Sequence, residues 1–191
     1  MRKSLTTDYD KLPMVGAWSE ITGMKKDDVD TIVTQLIVAI TEVREVYYLG
    51  IFEKNEKEIV DGYVDVWWMN GMLLALTNGR CNFNLFLEGV YEDIEKHFPG
   101  LLEERLEKAI SEVIKSNFSK FDNSLDDALK TAKKYEDLGV HTYHKRTVTD
   151  RLSKEETFYV TFSKEDTVGS DGKFYNKDKV LKSINFVEPH Q

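Results

Sequence analysis

Two groups of acidic residues in the first third of the chain have the spacing of metal ligands. Glu42 and Glu45 are three residues apart, so both carboxylates project to the same side of a helix. Glu58, Asp61 and Asp65 follow at intervals of three and four and would form one stripe on a second helix. Two facing stripes would suit Mg²⁺, which is held by carboxylates together with the phosphates of a substrate.

The same carboxylates have a simpler interpretation as the solvated faces of two amphipathic helices, which is the commonest environment of Asp and Glu. This fits the first helix, where Thr31, Thr34 and Gln35 can also face water. It fits the second helix less well, because the acidic stripe is nearly the only polar feature there. Isolated charges in apolar surroundings are costly unless they are paired or bound to a metal. Spacing alone leaves both interpretations open.

Hydrophobic periodicity predicts the two helices that carry these acids. Asp27 and Asp28 can cap a helix over residues 27–48. Its apolar residues predict one buried face, formed by Val29, Ile32, Val33, Leu36, Ile37, Ile40 and Val43. A second helix over residues 56–78 is apolar almost all round, so it should lie inside a bundle or at an oligomer interface, and Asn78-Gly79 should end it.

The remaining patterns predict further helices and then a smaller mixed segment. Helices are expected over residues 85–97 and 101–118, separated by Pro99-Gly100, and an amphipathic helix around residues 125–138 ends at Gly139. Strands are expected over residues 140–144, 157–162 and 180–186, with a turn at 169–172. The predicted fold is mainly α, with an all-α bundle in residues 1–120 and a C-terminal α+β extension in residues 121–191.

Composition limits the class of protein. The 191 residues are 41% hydrophobic, which is enough for one full core and a small appendage. A formal net charge of -8 and a pI of about 5.1 argue against non-specific binding to nucleic acid. Residues 1–10 do not read as a signal peptide, and the longest apolar stretch, residues 64–76, is too short to span a bilayer. With Cys81 as its only cysteine, the chain can form no internal disulfide, and we expect a cytoplasmic protein.

The segments around the acidic pairs resemble the paired acidic motif of the all-α NTP pyrophosphatases. The matching segments are Glu42-Val-Arg-Glu45 and, after twelve intervening residues, Glu58-Ile-Val-Asp61. This superfamily includes MazG, the phosphoribosyl-ATP pyrophosphohydrolases and the dimeric dUTPases. The longer run over residues 58–68 is similar to the second metal helix of the MazG-like proteins carried by phages. The chain has Thr41 where many relatives have an additional glutamate.

Two segments nearer the C-terminus carry the same resemblance. Lys115-Ser-Asn-Phe-Ser-Lys-Phe121 is similar to the Ser-Asn-x-Ser-Lys element of the phage-type branch. Asp171-Gly-Lys173, followed by residues 179–186, resembles the final motif of that branch, although residues 174–178 interrupt it here. The motifs occur in the family's order over residues 10–189. By resemblance, the chain is identified as a member of the MazG-like group.

The resemblance implies a helical bundle of the MazG type and a pyrophosphohydrolase that converts a (d)NTP and water to a (d)NMP and pyrophosphate. The implied cofactor is Mg²⁺, with Mn²⁺ as a substitute, and the implied oligomer is a homodimer or homotetramer. The implied metal ligands are Glu42, Glu45, Glu58, Asp61 and Asp65, among which Glu42, Glu45 and Asp61 are catalytic and Glu58 and Asp65 compete for one place. The implied substrate-binding residues are Asn117, Lys120, Lys182 and Asn185. If the chain is phage-encoded, it would act in the host cytoplasm.

Three other functions can be compared with this interpretation. The acidic motifs also fit a nucleotide-specific hydrolase of the dUTPase or dCTPase type, because they do not record the shape of a base pocket. The net negative charge alone would fit a non-catalytic acidic phage protein that binds a host factor. The spacing of Ser19, Gly23, Met24, Val29 and Ile32 fits a helix-turn-helix template. Its recognition helix would carry acidic residues that repel DNA phosphates.

Three further residue types have ordinary structural explanations. Trp67 and Trp68 point about 100° apart on a helix, so at most one can stack on a base, and both are expected in a core or dimer interface. Cys81, His141 and His144 lack the spacing of a zinc motif. None of these residues is therefore assigned to a site.

Overall fold

The computed structural model describes residues 11–149 and 155–189, and these form a mainly helical protein with a small strand part. The helices are α1 (Leu12–Ile21), α2 (Val29–Glu45), a π-helix (Val46–Phe52), α3 (Glu56–Leu76), α4 (Asn84–His97), α5 (Leu101–Phe118) and α6 (Leu125–Glu136). The strands are β1 (Thr142–Thr149), β2 (Glu156–Ser163), β3 (Thr167–Val168) and β4 (Phe174–Tyr175). No helix in these ranges has the length and apolar character needed to cross a membrane. The polar N-terminal segment considered above, residues 1–10, lies outside the described residues.

The described chain divides into two compact units. The first contains residues 11–19, 23–114 and 189, and the second contains residues 20–22, 115–149 and 155–188. The first unit therefore holds α2, the π-helix, α3 and α4. The second holds α6 and all the strands.

Several helix ends lie where capping signals predict them. Asp28 caps α2, because its carboxylate accepts a hydrogen bond of 3.0 Å from the backbone N–H of Thr31. After α3, Asn78 and Gly79 adopt left-handed φ angles of 51° and 78° and end the helix. The helices predicted around Pro99-Gly100 are confirmed as α4 and α5.

Helix α3 forms the centre of the first unit. Fourteen of its 21 residues are buried, including Trp67 and Trp68. Trp68 packs edge-to-face against Trp18 of α1, with ring centroids 5.9 Å apart. The predicted position of both tryptophans in a core is confirmed. The apolar surface of α3 is thus covered within the chain itself and supplies no reason for an oligomer.

The predicted buried face of α2 is wrong for four of its residues. Val29, Val33, Ile37 and Ile40 are 70%, 45%, 60% and 66% exposed, respectively. The helix instead packs through the side that carries Ala39, its one fully buried residue. The apolar face of α2 is broader than the area that α3 and the π-helix cover, so periodicity identifies apolar residues but does not determine which of them are buried.

Helix α2 and the π-helix both pack closely against α3, because a glycine at each contact lacks a side chain. A Cβ atom on Gly62 would lie 2.7 Å from Val46 Cγ2 and 3.3 Å from the carbonyl oxygen of Glu42. A Cβ atom on Gly50 of the π-helix would lie 2.6 Å from Ile59 Cγ1. A single helix is expected through residue 48. In the structure, α2 ends at Glu45, and the chain continues as a π-helix that packs against α3.

The second unit contains two small antiparallel sheets. Strands β1 and β2 pair along their whole length, with Tyr143 opposite Phe162, and β3 pairs with β4 around the predicted turn. The strand predicted over residues 180–186 is wrong, since only Val180 forms an isolated bridge, to Phe162. Side-chain hydroxyl groups accept hydrogen bonds from the amides of Lys182, Ile184 and Asn185, so this segment does not continue the ladder.

Aromatic packing provides much of the second unit's core. Phe118, Phe121 and Phe158 make mutual edge contacts, with ring centroids 5.7 to 6.1 Å apart. A separate cluster of buried residues comprises Tyr135, Val140, Tyr175 and Leu181. The C-terminal segment, which we define as residues 180–187, therefore contributes at least one side chain to this core.

Replacing Gly62 by alanine is expected to destabilise the protein, because the added methyl group collides with Val46 and approaches backbone atoms of α2. Overpacking of this kind costs about 1–3 kcal/mol. Gly89 on α4 is the matched control, since a Cβ atom there meets nothing within 4 Å. Gly89→Ala should stabilise the protein by about 0.5–1 kcal/mol through helix propensity. Chemical denaturation of both variants measures the difference, and equal effects would show that Gly62 is not a close-contact position.

Candidate functional site

The predicted metal ligands lie on two neighbouring helices of the first unit. Glu42 and Glu45 are on α2, whereas Glu58, Asp61 and Asp65 are on α3. All five side chains are half-buried and none belongs to the fully exposed class. They are therefore not simply the water-facing sides of the two helices. We call these five residues the acidic cluster.

Glu42 is the most perturbed member of the acidic cluster. Burial, followed by the negative charges of Asp65 and Glu45, raises the pKa of Glu42 to about 7. Asp65 belongs to α3 and Glu42 to α2, so the acids of the two helices lie within electrostatic reach of one another. The close contact at Gly62 is what holds the two helices at this separation.

Asp61 is perturbed by the same kinds of effect. Burial raises its pKa to about 6; Lys57 opposes this increase, and the charges of Glu58 and Asp65 add to it. Its Oδ1 atom is buried and has no hydrogen-bond partner within the described part of the chain. The charge of Asp65 thus raises the pKa of one acid on each helix, whereas the charge of Glu58 raises only the pKa of Asp61.

The donor chemistry of the acidic cluster fits a hard divalent cation. A cation would relieve the mutual repulsion of the carboxylates and give the buried Oδ1 of Asp61 a partner. Across residues 11–149 and 155–189, however, no group of three or more Asp, Glu, His or Cys side chains is arranged to hold a metal ion. A bound cation would therefore have to draw the carboxylates closer together by side-chain rotation.

The residues considered for zinc are placed in ordinary environments. His141 Nδ1 lies 2.8 Å from Glu165 Oε1 at an exposed position of the second unit. His144 is exposed on β1, and Cys81 is a half-buried free thiol. The environments of these residues give no support for a zinc site.

The first pair of predicted substrate-binding residues lies at the end of α5, in the second unit. Lys120 Nζ donates a hydrogen bond of 2.6 Å to Asn117 Oδ1. The final residues of α5 and the turn after it therefore hold this lysine head group in a defined position. Both side chains are half-buried.

The second pair projects from the C-terminal segment of the same unit. Lys182 Nζ lies 2.7 Å from Glu188 Oε1 and 4.0 Å from the centroid of the Phe186 ring. The backbone N–H of Asn185 donates a hydrogen bond of 2.9 Å to Ser183 Oγ. Both Lys182 and Asn185 are exposed, so their head groups are accessible to a solute.

Backbone and side-chain hydrogen bonds bring these two pairs of residues into one region. The N–H of Ser183 donates to the carbonyl oxygen of Lys120 over 3.3 Å. The N–H of Val187 donates to Ser119 Oγ over 3.0 Å. The Ser-Asn-x-Ser-Lys element and the final motif, separated by about sixty residues of sequence, are therefore neighbours in the fold.

No pattern in the sequence indicates the buried polar group that lies beside this region. Asp122 is 1% exposed, and Thr131 and Ser183 are 0% and 1% exposed. Both hydroxyl groups donate hydrogen bonds to Asp122 Oδ1. An aspartate in a polar turn is most often exposed, so neither its type nor its spacing could reveal this role.

No protein-family model, curated protein or solved structure that was compared matches this chain.

The raised pKa values predict how stability changes with pH. A carboxyl group whose pKa is higher in the folded protein than in the unfolded chain favours folding when it is protonated. The free energy of unfolding should therefore fall as pH rises from about 4 to about 7, as Glu42 and Asp61 ionise.

Glu42→Gln should reduce this decrease and raise the stability at neutral pH, because glutamine carries no charge to repel Asp65 and Glu45. Glu88→Gln, at an exposed position of α4, is the control and should leave the pH profile unchanged. Urea denaturation at a series of pH values makes the comparison. An identical slope for Glu42→Gln and the wild type would contradict the assignment.

Proposed function

We propose that this protein is a Mg²⁺-dependent nucleoside triphosphate pyrophosphohydrolase with a MazG-like bundle. The observation that carries the proposal is the pairing of half-buried carboxylates across α2 and α3, with a buried Asp61 oxygen that lacks a hydrogen-bond partner among the described residues. Surface carboxylates on isolated helix faces would not perturb one another in this way. The resemblance of the surrounding motifs supplies the reaction.

The cation would be held by Glu42, Glu45 and Asp61, with either Asp65 or Glu58 as a further ligand. The charges favour Asp65, because it perturbs acids on both helices. When bound, Mg²⁺ would neutralise phosphate oxygens and lower the pKa of the attacking water. Mn²⁺ prefers the same oxygen ligands and should substitute for Mg²⁺.

The reaction forms one bond and breaks another at the α-phosphorus. The oxygen of water attacks this phosphorus, and the bond to the oxygen that bridges the α- and β-phosphates breaks. Pyrophosphate departs with the bonding electrons, and a nucleoside monophosphate remains. A carboxylate of the acidic cluster accepts the proton from water, which is the usual role of a general base.

The four residues that the resemblance assigns to substrate binding all belong to the second unit. Lys120 and Lys182 supply the cationic groups that counter a triphosphate, and Asn117 and Asn185 supply amide groups for its oxygens or for the sugar. Asn117 and Lys120 already hydrogen-bond to each other, which reduces the conformational entropy lost on binding. The ion pair between Lys182 and Glu188 would have to open.

Glu45→Gln and Asp61→Asn should each reduce pyrophosphate release by about a hundredfold to a thousandfold, because each removes a charged group from a site whose action is electrostatic. Glu88→Gln removes the same charge at an exposed position of α4 and should retain full activity. The assay measures pyrophosphate release with Mg²⁺ from all common ribo- and deoxyribonucleoside triphosphates. Circular dichroism checks that the helices are retained.

The results also separate the competing functions. Turnover of dUTP or dCTP alone would indicate the nucleotide-specific hydrolase. Absence of pyrophosphate release from every nucleotide, with no cation binding, would contradict the enzyme proposal and favour a non-catalytic binding protein. Wild-type activity in either acidic variant would contradict the metal assignment.

The exposed face of α2 supports the proposed homodimer or higher homo-oligomer. The outer stripe, which we define as Val29, Val33, Ile37 and Ile40, repeats at intervals of four, four and three residues and therefore follows one side of the helix. All four side chains are aliphatic and β-branched, and all are at least 45% exposed. A continuous apolar stripe of this kind is typical of a helix that packs against another copy of itself.

Ile37→Glu should convert the oligomer to a monomer, because a carboxylate in the centre of the outer stripe would lose its water on association. Leu129→Glu on α6 is the control, since Leu129 is similarly exposed, at 52%, but lies outside the stripe. Sedimentation velocity of the wild type and both variants tests the proposal. A wild-type monomer, or an oligomer that persists in Ile37→Glu, would contradict it.

A further inference from the structure

The C-terminal segment has an unusual source of order. Apart from the isolated bridge at Val180, its residues belong to no helix or strand, so no ladder fixes most of its backbone. The hydroxyl group of Tyr135 holds part of this backbone by hydrogen bonds. It accepts a hydrogen bond from the N–H of Lys182 and donates one to the carbonyl oxygen of the same residue, both at 3.1 Å.

Two further hydroxyl groups hold the next residues of the segment. Thr131 Oγ1 accepts a hydrogen bond of 3.0 Å from the N–H of Ile184. Ser183 Oγ accepts a hydrogen bond of 2.9 Å from the N–H of Asn185. Together with backbone hydrogen bonds from Leu181 N–H to the Thr161 carbonyl oxygen and from Ser183 N–H to the Lys120 carbonyl oxygen, these hydroxyl groups hold the backbone that presents Lys182 and Asn185.

Asp122 determines the direction of both of these hydroxyl groups. Thr131 Oγ1 donates to Asp122 Oδ1 over 3.2 Å, and Ser183 Oγ donates to the same oxygen. Each hydroxyl has one proton to donate. Once that proton points to Asp122, the oxygen lone pairs are directed to the amides of Ile184 and Asn185.

The position of Asp122 is itself fixed. Its backbone pairs with that of Tyr159 through two hydrogen bonds, of 2.9 and 2.8 Å, so β2 holds the residue. Burial raises the pKa of its carboxyl group, and its Oδ2 atom has no hydrogen-bond partner within the described residues. A buried carboxyl group with one unpartnered oxygen is costly, whereas an apolar side chain could fill the same space. Packing alone therefore does not explain an aspartate here.

We propose that Asp122 is a positioning residue for a polyphosphate-binding region of the second unit. Through Thr131 and Ser183 it fixes the segment that carries Lys182 and Asn185 beside the turn that carries Lys120. The bond from Ser183 N–H to the Lys120 carbonyl oxygen joins the two. The choice of a polyphosphate as the ligand rests on the proposed function. The role of Asp122 in holding the segment rests on the hydrogen bonds alone.

Binding of inorganic tripolyphosphate, measured by isothermal titration calorimetry, tests this role without requiring turnover. Asp122→Ala leaves both hydroxyl groups without their acceptor and should weaken binding about tenfold or more. Asp122→Asn keeps an oxygen acceptor in the same place and should stay within about threefold of the wild type. Glu136→Gln removes one negative charge from an exposed position near the end of α6 and controls for net charge.

A second pair of variants keeps the proposal testable if Asp122→Ala fails to fold. Thr131→Val and Ser183→Ala each remove one hydroxyl group and leave the carboxyl group in place. Hydrogen exchange should accelerate at the amide of Ile184 in Thr131→Val and at the amide of Asn185 in Ser183→Ala, and tripolyphosphate affinity should fall in both. Faster exchange with unchanged affinity, or unchanged exchange and affinity, would overturn the proposal.

The outcome is separable from that of the proposed enzymatic activity. If no nucleotide is hydrolysed but tripolyphosphate binding depends on Asp122 as predicted, the positioning role stands and the catalytic proposal fails. If the wild type hydrolyses nucleotides and the folded Asp122, Thr131 and Ser183 variants keep its KM, the positioning role fails alone. A wild type that does not bind tripolyphosphate overturns the positioning role directly.

Discussion

The close contact between α2 and α3 determines the arrangement of the first unit. It depends on the absence of a side chain at Gly62, where the backbone of α2 passes within van der Waals distance. This contact covers part of α3, whose other sides pack within the unit, and turns the acidic edges of the two helices toward each other. Burial raises the pKa values of both Glu42 and Asp61, and the same contact brings Asp65 of α3 within electrostatic reach of Glu42 on α2. Repulsion between the carboxylates of the proposed site therefore lowers the stability of the bundle. A bound divalent cation would reduce this repulsion and stabilise the folded protein.

The second unit achieves order by a different means. Its sheets are short, and the segment that carries Lys182 and Asn185 lacks the backbone ladder of a regular strand. Hydroxyl groups of Tyr135, Thr131 and Ser183 replace that ladder, and the Asp122 carboxyl group orients two of them. A segment held by side-chain hydrogen bonds can keep a defined backbone while its exposed head groups remain available. The first unit thus offers carboxylate oxygens on α2 and α3, and the second offers lysine and asparagine side chains.

Some of this organisation could be predicted from the sequence because it depends on local signals. Caps and glycines located the ends of α4 and α5, and the spacing of Glu42 with Glu45 and of Asp61 with Asp65 put each pair on one side of a helix. Features that depend on tertiary contacts could not be predicted in the same way. The exposed side of α2 reads like a buried face because aliphatic residues at helical spacing look identical in both cases. Residues 180–186 alternate like a strand, yet the amides of Lys182 and Ile184 bond to hydroxyl groups of distant residues. Asp122 lies in a polar turn, and no local pattern distinguishes it from an exposed aspartate.

Proton release on cation binding is the most direct test of whether the acidic cluster binds a metal ion. If Mg²⁺ or Mn²⁺ binds at the acidic cluster, it must displace the protons that Glu42 and Asp61 retain near pH 6.5 because of their raised pKa values. Calorimetric titration at this pH, in two buffers of different ionisation enthalpy, counts those protons. Net proton release is expected in the wild type, with a smaller release in Glu42→Gln and Asp61→Asn. Absence of cation binding by the wild type, or binding with a proton count that these two substitutions leave unchanged, would contradict a metal site at the acidic cluster.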